Sequence, residues 1–150
     1  MFANTTVSEE MLTFFSSRTQ AQLTTGGVID TPMVPVIESL NQLPHVATVL
    51  CCGGHIRVEN GKRRTRTPHH VMLVVDAVGY KTLERIYRLW QETEYADSIH
   101  LCVSRLLHMR ESGFKGYYPV WKFQLNLRPE PEIVEGVCAA WVRIANACKE

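Results

Sequence analysis

No stretch of this 150-residue chain approaches the roughly 18 apolar residues that a membrane-crossing helix needs, so no membrane partner is expected. Residues 1–20 carry neither a basic opening segment nor an unbroken apolar run, and no secretory leader is read there. Cysteine is sparse and odd in number: Cys51, Cys52, Cys102, Cys138 and Cys148 form no disulfide framework. A reduced, cytoplasmic chain is the expectation. An excess of one charge is missing too. Sixteen Lys and Arg against fifteen Asp and Glu give a formal net charge of +1, which argues against a general nucleic-acid binder but leaves room for a local patch. There is no glycine-rich dinucleotide fingerprint and no phosphate-loop motif. What remains is ordinary globular material, 45% apolar and 21% charged, enough for one domain over 1–150 with a core of its own.

The most informative stretch runs from Asp30 to His55. Thr31 is a suitable N-cap, Pro32 suits the first helical position, and Pro35 still lies in the first turn, where N–H groups lack intrahelical partners. Met33, Val36, Ile37 and Leu40 then share a face. Pro44 closes the helix, and Val46 to Cys52 predicts a strand buried on both sides. Gly53-Gly54 permits a sharp turn at its end. A thiol, bare backbone N–H groups and an imidazole therefore meet at one strand terminus, with Asp30, Thr48, Cys52, Gly53, Gly54 and His55 as ligand-binding candidates.

Asp30, Leu40-Asn41, Thr48 and Cys52-Gly53-Gly54-His55, at these intervals, resemble the signature segment of the wybutosine-synthesis methyltransferases. The likeness covers about 26 residues. It implies S-adenosylmethionine as methyl donor and a modified guanine of phenylalanine tRNA as acceptor. Leu50-Cys51 stands where that family commonly has Ser-Ser, and His55 stands in place of its arginine. A permanently charged anchor has become a titratable one.

The rest of the chain supplies a frame. Ser8 caps a helix with Glu9 and Glu10 in its first turn, ended by Thr24-Thr25-Gly26-Gly27; residues 1–25 read as a packing or oligomerisation appendage. Ile56-Arg57-Val58 continues as a strand or hairpin arm to the Asn60-Gly61 turn. A basic loop follows, and Arg57, Lys62, Arg63, Arg64 and Arg66 are the candidates for phosphate or RNA contact. Val71–Val75, Ser98–Leu107 and Tyr117–Leu127 predict further strands, with a helix after Gly79, a loop over 110–116 and a final helix from Pro131. The class is α+β, order α-(αββ)-(αββ)-α: a four-stranded, mainly antiparallel sheet with helices packed on a face. A sheet edge or open face suits a homo-oligomer.

Three chemistries compete for the candidates. Cys51, Cys52, His55, His69 and His70 match no zinc spacing, since neighbouring strand residues point to opposite faces, so no metal is expected. Cys52 beside His55 could act as a nucleophile, but no third group is evident to orient the imidazole. Binding is preferred: a nucleotide-like small molecule or structured RNA at the corner, with methyl transfer from S-adenosylmethionine as the resemblance implies. The alternative is a non-catalytic protein on the same fold that sequesters a nucleotide-like ligand or acts through a protein partner, a role that suits a compact phage-encoded accessory. Tyr117, Tyr118 and Trp121 read more readily as core than as a base-stacking platform.

Overall fold

A computed structural model of the protein describes residues 5–107, 113–114 and 116–150. Helix α1 spans Glu9–Thr25 and α2 spans Val34–Asn41, after a 3₁₀ turn over Thr31–Met33. Strands β1 (Val46–Cys52), β2 (His55–Glu59), β3 (Lys62–Thr67) and β4 (His69–Val75) follow. Then come α3 (Tyr80–Gln91), β5 (Ile99–Leu107), β6 (Tyr117–Leu125) and α4 (Pro131–Ala147). Four strands form an antiparallel sheet in the order β1-β4-β6-β5, while β2 and β3 pair only with each other. The α+β class and the four-stranded antiparallel sheet stand, and the helix–strand–strand order holds for the strands of that sheet, with β2 and β3 inserted between β1 and β4. Most of the loop expected over 110–116, and His108, lie outside the described residues.

Two features depart from the expectation. The segment 62–66 is a strand and not a loop, because its alternating residues find partners across the Asn60-Gly61 turn, both of whose residues have positive φ. Helices also occupy both faces of the sheet. α2, α3 and α4 bury Val36, Ile37, Leu40, Leu83, Ile86, Trp90 and Trp141 against Val71, Leu73, Phe123 and Leu125. On the other side, α1 places Met11, Leu12 and Phe15 on Ala47, Val49, Val74, Tyr118 and Val120. A bulge in β1 lies under this helix: pairing passes from Thr48↔Leu73 to Leu50↔Met72, which leaves Val49 as the extra residue. Val49 then packs under α1, and the Thr48 hydroxyl meets that of Thr19 at 2.9 Å.

Helix starts matter most for the site. Ser8 caps α1 as expected, accepting from the Met11 N–H at 3.2 Å. Thr31 instead lies inside the 3₁₀ turn, and Asp30 takes the cap position without a side-chain cap bond. Glu130, at the same position before α4, makes none either. Both carboxylates reach across to the segment around β2 and β3 instead. No helix among the described residues is long and apolar enough to cross a membrane.

Candidate functional site

β1 ends at Cys52, and the chain turns over Gly53 and Gly54 before β2 begins at His55. Gly54 has φ +106°, and a Cβ there would lie 2.4 Å from Cβ of Pro129, so only glycine fits this turn. The Gly53 N–H donates to Asp30 Oδ2 at 3.2 Å, and the Gly54 N–H lies 3.4 Å from Cys52 Sγ. Those N–H groups, offered by the sequence to an anion, thus have partners within the chain. What faces solvent is side-chain chemistry. His55 Nε2 stands 3.8 Å from Asp30 Oδ2, with the two side chains 55% and 40% exposed. Cys52 Sγ completes a group whose ligating atoms all lie within 4.8 Å of one another.

Cys52 is a poor nucleophile here. Burial raises its thiol pKa, the Gly54 N–H opposes that rise, and Asp30 adds to it. Cys51, on the core side, is pushed up to about 12, by burial first and by Asp30 next. Nucleophilic cysteines need the opposite shift.

Under the turn lies a histidine that the sequence offered only as a metal ligand. His69 is buried, and Trp141 Nε1–H donates to its Nε2 at 2.9 Å. An indole N–H can only donate, so the neutral imidazole carries its proton on Nδ1. Among the described residues Nδ1 has no hydrogen-bond partner of good geometry; the Gly53 backbone near the ring favours the charged form, and His70 opposes it. Burial dominates and lowers the pKa from 6.5 to about 4. Because the folded value is depressed, the contribution is full above pH 6.5 and is lost as pH falls through about 4. That gap corresponds to about 3 kcal/mol. Denaturant unfolding measured between pH 7 and pH 4 should show this decline in the wild type and a flatter profile in His69→Gln. Parallel profiles would contradict it.

Beyond His55, β2 and β3 form an arm with two unlike faces. Arg57 pairs with Arg64 and Glu59 with Lys62, so these four side chains share the face that starts at His55. Glu59 is 3.5 Å from Arg57. On the reverse face Val58 pairs with Arg63, and Arg63 grips Glu130 in a bidentate contact, with Nε to Oε1 at 2.9 Å and Nη2 to Oε2 at 2.9 Å. Arg128 donates to the same carboxylate at 2.8 Å. Arg63, first among these groups, holds the Glu130 carboxyl below its usual range. Arg66 is the extra residue where the pairing shifts from His55↔Thr67 to Ile56↔Thr65. Asp30 therefore ties the base of the arm and Glu130 its back.

The candidates divide accordingly. Asp30, Cys52 and His55 converge, flanked by Arg57, Arg64 and Lys62 on the arm. Thr48 is buried and fastens β1 to α1 through Thr19, while Arg63 is committed to Glu130. Asn41 bonds Ser16 between α2 and α1, and His45 pairs with Asp76 at 2.7 Å. Tyr118 is core, Tyr117 is exposed, and the Trp121 indole donates to the Thr5 carbonyl at 2.9 Å. Glu130 was not legible as a site residue: the one clue, its place before a helix-starting proline, points to capping. No family model, curated protein or solved structure matches the chain.

Proposed function

We propose that this protein binds a phosphate-bearing ligand, a nucleotide or a structured RNA, on the Arg57–Arg64 face of the β2–β3 arm, with the nucleoside end at the Asp30–His55 corner. The observation that carries this reading is the direct opposition of Arg57 and Arg64 across the arm. Like charges directly opposite on a two-stranded ribbon destabilise it. Lys62 adds a third cation to the face, and Glu59 is the carboxylate that the arm itself sets among them. A phosphate between the two guanidiniums removes the repulsion and gains bidentate contacts. Such contacts position a ligand without reading sequence. Asp30 is placed to accept from ribose hydroxyls or an amine, and His55 to donate to a phosphate or carboxylate.

The resemblance to the wybutosine-synthesis enzymes extends this reading to S-adenosylmethionine, with catalysis by positioning of donor and acceptor. Binding without catalysis has its own support: burial raises the Cys52 thiol pKa, which disfavours it as a nucleophile, and His55 occupies the place of that family's arginine. Self-association through the open edge at β5, where Val103 is exposed, fits the same architecture. Five free cysteines suit a reducing, cytoplasmic setting.

Anisotropy of a labelled stem-loop RNA across a salt series tests the arm. Arg57→Ala/Arg64→Ala should weaken binding and reduce the slope of log K against log salt by about 1.4–1.8, the share of two phosphates on a single or a double strand. Arg63→Ala, on the reverse face, should leave the slope nearly unchanged. A double variant with the wild-type slope would remove the arm from the reading.

A further inference from the structure

We propose that Asp30, Cys52 and His55 form a three-ligand site for a zinc-class transition-metal ion, with a fourth position open to solvent. The sequence brings these three residues to one corner but shows no metal spacing, because the carboxylate comes from the turn before α2, away along the chain from the Cys-Gly-Gly-His segment. Folding brings Asp30 across, and its Oδ2 is fixed by the Gly53 N–H at 3.2 Å. The turn at Gly54 returns the imidazole of His55 toward the thiol of Cys52, so that all three donor atoms lie within 4.8 Å of one another. Zinc bonds of 2.0–2.3 Å in tetrahedral geometry require donors about 3.3–3.8 Å apart. The Asp30–His55 separation is already 3.8 Å, so closure around an ion asks for shifts of about 1 Å or less.

The donor chemistry selects the class of ion. A thiolate and an imidazole with one carboxylate suit zinc, while calcium and magnesium take oxygen ligands. Binding exchanges the thiol proton for the metal: an S–metal bond forms and the proton leaves to solvent. The exposure of Asp30 and His55 leaves the fourth position to water or an incoming ligand atom. His70 lies opposite Cys52 in the β1–β4 pairing, but its Nδ1 is on the Pro68 carbonyl at 3.1 Å and it stands outside the group. The site shares Asp30 and His55 with the phosphate reading and is tested apart from it, since metal uptake is measured with no nucleotide present; with the ion bound, a nucleotide group would meet the corner at the open fourth position and not at these two side chains.

The test is cobalt(II) titration of the full chain, read by absorbance and by metal content after gel filtration. One cobalt per chain is expected, with a thiolate-to-cobalt charge-transfer band in the near ultraviolet. Cys52→Ser should abolish the band, and His55→Ala and Asp30→Asn should each weaken binding by more than about tenfold. Cys51→Ser, Cys102→Ser and His70→Ala should retain both band and stoichiometry. Circular dichroism of each variant separates lost binding from lost folding, and Asp30→Asn and His55→Ala alter exposed side chains. No uptake, a band that survives Cys52→Ser, or cobalt bound without a thiolate band would overturn the proposal.

Discussion

Trp141→Ala is expected to destabilise the protein by about 3–5 kcal/mol, the usual range for emptying a buried aromatic position. The indole is fully buried in α4 and meets Trp90 edge-on at 5.0 Å and Phe123 at 5.3 Å between ring centroids. It therefore joins α4 to α3 and to the sheet centre in one contact. Its N–H is the partner of His69 Nε2, and losing it leaves a buried imidazole with no hydrogen bond of good geometry among the described residues, a further cost of about 1–3 kcal/mol. Against a total stability of roughly 5–15 kcal/mol, the variant should melt at least about 10 °C below the wild type. Trp141→Phe separates the two causes. It keeps a ring in the cluster but removes the donor, so its loss should be mainly the hydrogen-bond part. A melting point for Trp141→Ala within a few degrees of the wild type would contradict this description of the core.

Gly54→Ala should be nearly as damaging, and it acts on the corner. A φ of +106° costs a non-glycine residue about 1–3 kcal/mol. The added methyl would lie 2.4 Å from Pro129 Cβ and 3.3 Å from the His69 backbone nitrogen. Pro129 is a rigid ring one residue before the α4 cap, so relief requires moving backbone at about 1–3 kcal/mol more. The expected total is about 2–5 kcal/mol, with the spacing of Asp30, Cys52 and His55 disturbed. Gly53→Ala is the matched control. A Cβ there meets Met33 and Val134 side chains at 3.6 and 3.7 Å, ordinary contact distances. Unfolding curves should therefore place Gly53→Ala close to wild type and Gly54→Ala well below it; coincident curves would sink the argument from the turn.

Periodicity revealed most of the frame. Val46 to Cys52 is a strand, Ser8 caps α1, and Gly26 ends it, because each depends on local chemistry; burial on both sides of that strand fails at Leu50, which is exposed. The alternation in Tyr117–Leu127 likewise marks β6, which ends at Leu125. Pairing is where local reading stopped. Lys62–Thr67 carries charges that suit a loop, and only the register across Asn60-Gly61 turns them into a two-faced ribbon. The same holds for Glu130, whose place before Pro131 suggests a helix cap while its carboxylate reaches across to Arg63; Asp30 was legible as a site residue, but its bond to the Gly53 N–H was not. The corner was visible as Asp30 with Cys52 to His55, whereas the partners of Arg63 and His69 depend on contacts made only when α4 docks.

The most direct measurement is nuclear magnetic resonance of arginine Nε–Hε groups and histidine rings during titration with a 5′-nucleotide. Arg57, Arg64 and His55 should shift together and saturate at one affinity, while Arg63, held by Glu130, stays in place. Shifts confined to another surface, such as the groove lined by Tyr80, Tyr87 and Trp121 between α3 and the sheet, would contradict the assignment of the arm.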